Sequence, residues 1–241
     1  MIKPILILSI LLCACNVGAA EIRVATAANF YTTLNKIKTK FENSTHHKIT
    51  IIRGSTGKLF AQIVKGAPYD VFLSADVERA DKLVALGKSY DGKSYVYAVG
   101  QLALWNKKAK NSEDIKNQLL NGQFNKLSIA NPKTAPYGAA SVEALKEMDL
   151  YDQVKSKLVY GENISQALQF VESGAAEIGF VAKSYVIKDV YWNINNKLHK
   201  PIQQKMILLK QARDAKLAKE FMQYMQSEDI KKLIKADGYQ L

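Results

Sequence analysis

The sequence predicts an α/β protein of two lobes joined by two crossovers. Three observations carry this. Short β-branched or apolar runs alternate with segments whose apolar residues fall at helical spacing. That alternation occurs in two successive sets, as expected of sheets covered by helices. The chain then closes with one more strand and a long helix, with no Pro/Gly/Ser-rich linker between the sets.

Ile22-Arg23-Val24-Ala25 reads as the first strand. From Asn29 to about Glu42, Phe30, Leu34, Ile37 and Phe41 share one helical face. Ile49 to Ile52 is β-branched and strand-like. Gly54-Ser55-Thr56-Gly57 then leads into a helix marked by Leu59, Phe60 and Ile63. Val71-Phe72-Leu73 is a buried strand and Val77 to Leu86 a helix, so the opening is β-α-β-α-β-α. The second set has a strand-rich stretch from Tyr95 to Trp105 and a strand at Leu127–Ala130. Helices at Ala139–Met148 and Ile164–Ser173 and a strand at Ile178–Val181 complete it. The tail adds a strand around Lys205–Leu209 and a helix from Ala212 to about Met225. Crossovers are expected near Ala98–Gln101 and near Leu198–Gln203. Lobe I is then residues 21–98 with 203–241, and lobe II residues 99–202.

Residues 1–20 read as an export signal. Lys3 gives the positive start, Ile5 to Leu12 the short apolar run, and Gly18, Ala19 and Ala20 the small residues before Glu21. The run is too short to span a bilayer, and no later stretch is long and apolar enough to do so. Both cysteines, Cys13 and Cys15, fall inside this segment. Cleavage after Ala20 removes them, and with them any disulfide, thiolate metal site or cysteine nucleophile. Cys15 also stands where a lipoprotein signal would place its lipidated residue, so a lipid anchor is the competing expectation.

The chain has 241 residues, 48% hydrophobic, with net charge +12. These values exclude a disordered or collagen-like chain. The positive excess suits nucleic acid, membrane surfaces or small anions without choosing among them. Lys107, Lys108, Lys110, Lys231, Lys232 and Lys235 look like solvated faces rather than one stripe interleaved with aromatics.

The informative pattern occurs four times. A strand ends, small or polar residues follow, and a helix begins: at Ala27-Ala28-Asn29, Gly54-Ser55-Thr56-Gly57, Pro136-Tyr137-Gly138-Ala139 and Glu162-Asn163-Ile164-Ser165. Helix N-termini carry unpaired N–H groups and the positive dipole end. Ligands of open α/β sheets sit beyond the carboxyl ends of the strands. Singly, each place is accounted for by ordinary capping. Together, with glycines that let backbone approach closely, they suit a small oxyanion held by neutral donors.

Other chemistries lack their motifs. Gly57-Lys58 has Ile52 where a nucleotide phosphate loop needs glycine, and Leu59 where it needs Ser or Thr. His46, His47 and His199 are the only histidines and form no HExxH spacing. No Gly-x-Ser-x-Gly elbow occurs. Asp70 and Asp76 flank the Val71–Leu73 strand and are expected to cap helices and bridge elements.

The residues then resemble a known family. Val24-Ala25-Thr26-Ala27-Ala28-Asn29-Phe30, Gly54-Ser55-Thr56-Gly57-Lys58-Leu59 and Gly66-Ala67-Pro68-Tyr69-Asp70-Val71-Phe72-Leu73-Ser74-Ala75-Asp76 resemble the periplasmic molybdate-binding proteins of ABC-type importers, the ModA family. Asn131-Pro132, Ala135-Pro136-Tyr137-Gly138, Gly161-Glu162-Asn163-Ile164 and Gly179-Phe180-Val181 continue the match in the family's order. The resemblance covers nearly all of the chain after residue 20.

It implies a type II periplasmic-binding-protein fold that holds molybdate or tungstate between its lobes. It implies no enzymatic activity and no cofactor, a periplasmic location, a monomer, and an ABC permease with its ATPase as partner. The implied ligand residues are Asn29, Thr56 with Ser55 beside it, Tyr137, Ile164 through its backbone N–H, and Ala28 through its backbone alone. One departure stands out. Relatives with Ala at the Tyr137 position often carry Tyr after the Gly-Phe-Val stretch, where this chain has Ala182. The tyrosine hydroxyl is therefore expected from Tyr137.

A physical argument points the same way. Molybdate and tungstate are fully ionised near neutral pH and need only donors. Monohydrogen phosphate carries a proton that seeks an acceptor, and none of the four termini offers an Asp at a contact position; Glu162 is expected to point away. A binding protein for sulfate, phosphate, chromate or a small organic acid stays open on these residues. So does an exported surface or adhesion protein that reuses the fold.

Overall fold

The computed structural model describes residues 19–241. The expected export segment, with Cys13 and Cys15, lies outside the described residues except for Ala19 and Ala20.

The first set folds as read, with slightly longer elements. Strand β1 (Glu21–Ala27) ends in a single 3-10 turn at Ala28–Phe30, which runs into helix α1 (Tyr31–Thr45). Strand β2 (Lys48–Gly54), helix α2 (Thr56–Val64), strand β3 (Val71–Ser74) and helix α3 (Val77–Ala85) follow. The stretch Tyr95–Trp105 divides at Gln101 into β4 (Tyr95–Gly100) and β5 (Leu102–Trp105). Helix α4 (Ser112–Leu120) leads to β6 (Leu127–Ala130), α5 (Pro136–Glu147) and the short α6 (Tyr151–Val154). Then come β7 (Leu158–Gly161), α7 (Ile164–Glu172), β8 (Ile178–Ala182), α8 (Lys183–Val186) and β9 (Tyr191–Asn193). Strand β10 (Ile202–Leu208) and helices α9 (Ala215–Met225) and α10 (Glu228–Ala236) close the described chain.

The strands make two five-stranded sheets, in the orders β2-β1-β3-β10-β4 and β7-β6-β8-β5-β9. Each has a parallel trio, β2-β1-β3 or β7-β6-β8, followed by two antiparallel neighbours. Parallel strands are buried on both faces and read as continuous apolar runs. Val71–Ser74 and Leu127–Ala130 are buried at every position. Helices cover both faces. Phe30, Leu34 and Phe221 pack on one side of the first sheet and Leu59, Ile63 and Leu83 on the other. Leu145 and Phe180 lie in the core on one side of the second sheet, Val171 and Val186 in that on the other.

The chain crosses between the sheets twice. Strand β4 pairs with β10 in the first sheet and β5 with β8 in the second, so the first passage is Gln101 alone. The second lies between β9, which pairs with β5, and β10. The chain end returns to the first passage, where Gln240 and Val99 exchange backbone hydrogen bonds of 2.7 and 2.9 Å. Asp70 and Asp76 take the structural roles expected of them. Asp76 caps α3 through Arg79 N, and buried Asp70 accepts from the backbone N–H groups of Arg23 and Arg213.

Candidate functional site

The four places where a strand gives way to a helix converge. Ala28, Asn29, Ser55, Thr56, Tyr137 and Ile164 line one narrow cleft between the two sheets. They stand just past the carboxyl ends of β1, β2, β6 and β7. Among the described residues no charged side chain lines the cleft. Among the described residues no cluster of three or more His, Cys, Asp or Glu is placed to hold a metal ion.

Local capping decides which donors face inward. Ser55 is the N-cap of α2 but makes no capping bond, and its Oγ is buried without a hydrogen-bond partner. Thr56 Oγ1 accepts from Ala75 N at 3.2 Å, which leaves its proton free to donate. At α7 the Asn163 side chain accepts from Ser165 N at 3.0 Å and Gln166 N at 3.2 Å. That cap satisfies the second and third helical N–H groups and leaves the first, Ile164 N–H, as the open donor. Tyr137 stands one residue into α5, after Pro136, whose missing N–H costs the helix start nothing. Gly138 lets this turn lie against the end of β6, since a Cβ there would meet Ala130 O at 2.2 Å. The helix therefore starts at Pro136 and not at Ala139.

The Tyr137 hydroxyl is also buried without a hydrogen-bond partner. Burial pushes the Tyr137 and Tyr97 hydroxyls well above the ordinary tyrosine range, and raises those of Tyr185 and Tyr239 too. All four stay neutral donors near neutral pH.

Asn29 behaves differently from the expectation that its side chain serves a ligand. Its Nδ2 donates to Gln204 Oε1 at 2.9 Å and to the Tyr239 hydroxyl at 3.3 Å. Asn29 and Ala28 line the cleft at the start of the 3-10 turn. Ala182 lies buried at the start of α8. Three residues on, the Tyr185 hydroxyl reaches back to Ala28 O at 2.5 Å, so a tyrosine from this region supports the first site loop. Tyr185, Gln204 and Tyr239 went unread in the sequence. The one signal was a polar residue at a buried position of strand β10.

Contacts across the cleft hold the two sides together. Gly57 N donates to Thr134 O at 2.9 Å and Arg79 Nη2 to Lys133 O at 3.0 Å. Glu162 turns outward to Lys58, with Nζ 2.8 Å from Oε1. The cleft thus collects hydroxyl and backbone donors, has no acidic lining, and is shut on both flanks. Such a site can hold a small, fully ionised anion.

Comparison with known proteins points to transport. The family model for bacterial extracellular solute-binding proteins matches residues 22–240. The molybdate-binding protein ModA of Azotobacter vinelandii is 43% identical over 95% of this chain and 94% of its own length. ModA of Rhodobacter capsulatus is 37% identical over 92% of this chain and 89% of its own. The solved Azotobacter vinelandii periplasmic molybdate-binding protein superposes with a TM-score of 0.88 at 33% identity, covering 91% of this chain and 99% of that one.

Proposed function

Because the chain belongs to the bacterial extracellular solute-binding proteins, within them to the ModA family, we propose that it captures molybdate or tungstate in the cleft and delivers the anion to an ABC permease driven by its ATPase. Its role is binding and not catalysis. One observation carries the reading: Ser55, Thr56, Tyr137, Ile164, Asn29 and Ala28 line a cleft in which no carboxylate is present. A protonated oxyanion would leave its own donor unmatched there, and an unmatched buried donor costs about 1–3 kcal/mol. A fully ionised tetrahedral anion has no such cost.

The lobes, 21–98 with 203–241 and 99–202, turn about the two crossovers as the anion leaves, a hinge motion. The single-residue passage at Gln101 and the return between β9 and β10 support that division. Residues 1–20 export the chain to the periplasm, where it acts as a monomer. The mass of the mature protein separates cleavage after Ala20 from a lipid on Cys15.

The test is a thermal-shift panel of molybdate, tungstate, chromate, sulfate and phosphate on residues 21–241. A ligand at about 1,000 times its Kd stabilises by roughly 4 kcal/mol. Large shifts with molybdate and tungstate alone are expected. A shift with sulfate or phosphate in their place overturns the ligand, and no shift at all overturns the site.

A further inference from the structure

We propose that Gln204 is a positioning residue for this site: its carboxamide sets the direction in which the Tyr137 hydroxyl gives its proton. The inference rests on the reading of the cleft as an oxyanion site and deepens it.

Gln204 lies on β10, fully buried, and lines no part of the cleft itself. Its Oε1 accepts from Asn29 Nδ2 and from the Tyr97 hydroxyl, both at 2.9 Å. Asn29 is oriented in turn by Tyr239. The Tyr239 hydroxyl donates to the Asn29 carbonyl at 2.7 Å, so a lone pair of the same oxygen receives Asn29 Nδ2 at 3.3 Å. With the nitrogen end of Asn29 fixed in this way, the oxygen end of Gln204 is fixed as well.

What remains of Gln204 is Nε2, a donor with no partner of its own. It lies beside the Tyr137 hydroxyl, which also has none, so the two are neighbours without a hydrogen bond in this structure. Both atoms crowd Gly100: a Cβ there would lie 2.2 Å from the Tyr137 oxygen and 2.9 Å from Gln204 Nε2. Only a residue without a side chain lets the two approach. A primary amide nitrogen can donate but not accept. A phenol oxygen that receives from it has its proton left to give, and the cleft is where an acceptor arrives. Asn29 Nδ2 donates both to Tyr239 and to Gln204, so Tyr239 fixes the amide of Asn29 and Asn29 fixes that of Gln204, whose Nε2 is left to donate to the Tyr137 oxygen once an anion takes the phenol proton in a hydrogen bond. This prevents a phenol lone pair from facing the anion.

The experiment is a double-mutant cycle read by calorimetric titration of residues 21–241 with sodium molybdate, using wild type, Gln204→Met, Tyr137→Phe and the double variant. Each single change is expected to weaken binding by about tenfold or more, the loss of one hydrogen bond to a charged group. The double variant should bind within about twofold of Tyr137→Phe, because Gln204 acts through that hydroxyl. A structural role alone would multiply the two losses, and multiplied losses overturn the inference while leaving the oxyanion site intact. A wild-type protein that binds no molybdate overturns both. Should Gln204→Met not fold, Gln204→Glu keeps an acceptor for Asn29 and Tyr97. Its carboxylate accepts the Tyr137 proton in place of the anion, so Gln204→Glu is expected to weaken binding more with Tyr137 present than in the Tyr137→Phe background, and equal losses in the two backgrounds overturn the inference.

Discussion

The backbone N–H of Gly57, in the first turn of α2, donates to Thr134 O at 2.9 Å in the loop that precedes α5. This bond joins the two sides of the cleft at the point where each presents its site residues, Ser55 and Thr56 on one side and Tyr137 on the other. A Cβ on Gly57 would lie 3.1 Å from both Thr134 Cα and Thr134 O and 3.3 Å from Arg79 Nε. Gly57→Ala is therefore expected to wedge the lobes apart. Molybdate affinity should fall by about three- to tenfold, the worth of one net hydrogen bond, while the ligand-free melting temperature barely moves. Small-angle scattering with ligand present should give a larger radius of gyration than wild type. Unchanged affinity would mean that closure does not depend on this contact.

Ser55 Oγ and the Tyr137 hydroxyl make no hydrogen bond within the protein although both are buried. Their removal deletes no native interaction in the ligand-free molecule. Ser55→Ala and Tyr137→Phe should leave the ligand-free melting temperature equal to or above that of wild type, yet weaken molybdate binding by about 1.5–3 kcal/mol each. A drop in ligand-free stability with unchanged affinity would assign both hydroxyls to structure. Thr56→Ala belongs to a different class, because Thr56 Oγ1 also holds Ala75 N. It should lose both affinity and some stability.

Asp70 gives the complementary case. It accepts from Arg23 N at 2.6 Å and Arg213 N at 2.8 Å, on the far side of β3 from the cleft loops. Asp70→Ala removes the buried carboxylate and leaves its two part-buried backbone donors unpaired, at no more than about 1–3 kcal/mol each. Thermal unfolding should come at a clearly lower temperature, while the surviving folded protein binds molybdate within about twofold of wild type.

The buried tyrosines set the alkaline limit. Tyr97, Tyr137, Tyr185 and Tyr239 are held protonated in the fold because burial raises their pKa values. In the unfolded chain they ionise near pH 10. Above that pH the unfolded state binds fewer protons than the folded one, so stability is complete below pH 10 and falls as pH rises. The slope is about 1.4 kcal/mol per pH unit for each such group. Phenolate absorbance from these residues should appear together with loss of circular dichroism, in one cooperative step above pH 10. Ionisation well ahead of unfolding would contradict the burial.

The parts of the site legible in the sequence were those with a local cause. Ser55, Thr56, Asn163 and Pro136 are helix-start residues, and the strands before the first three loops are short β-branched or apolar runs, so those loops could be placed by inspection and the fourth from its helix start. Which donor each loop leaves open is a matter of hydrogen bonds that only folding assigns. Asn163 selects Ser165 and Gln166 and so spares Ile164, and Asn29 spends its amide on partners 175 and 210 positions away. Gln204 and Tyr239 were out of reach for the same reason, since their roles consist wholly of distant partners. The break in Tyr95–Trp105 falls at Gln101, within the Ala98–Gln101 range expected for the crossover, although both halves have strand character. Strand β7, LVYG, is too short and too mixed in burial to announce itself, yet it carries Gly161 to the mouth of the fourth loop.

The two buried hydroxyls without protein partners have a meaning for the economy of import. Shutting the lobes around nothing strips water from Ser55 and Tyr137 and returns no bond, so an empty molecule resists adopting the loaded shape. On the proposed function, a permease that engages the shut form meets it chiefly with cargo inside.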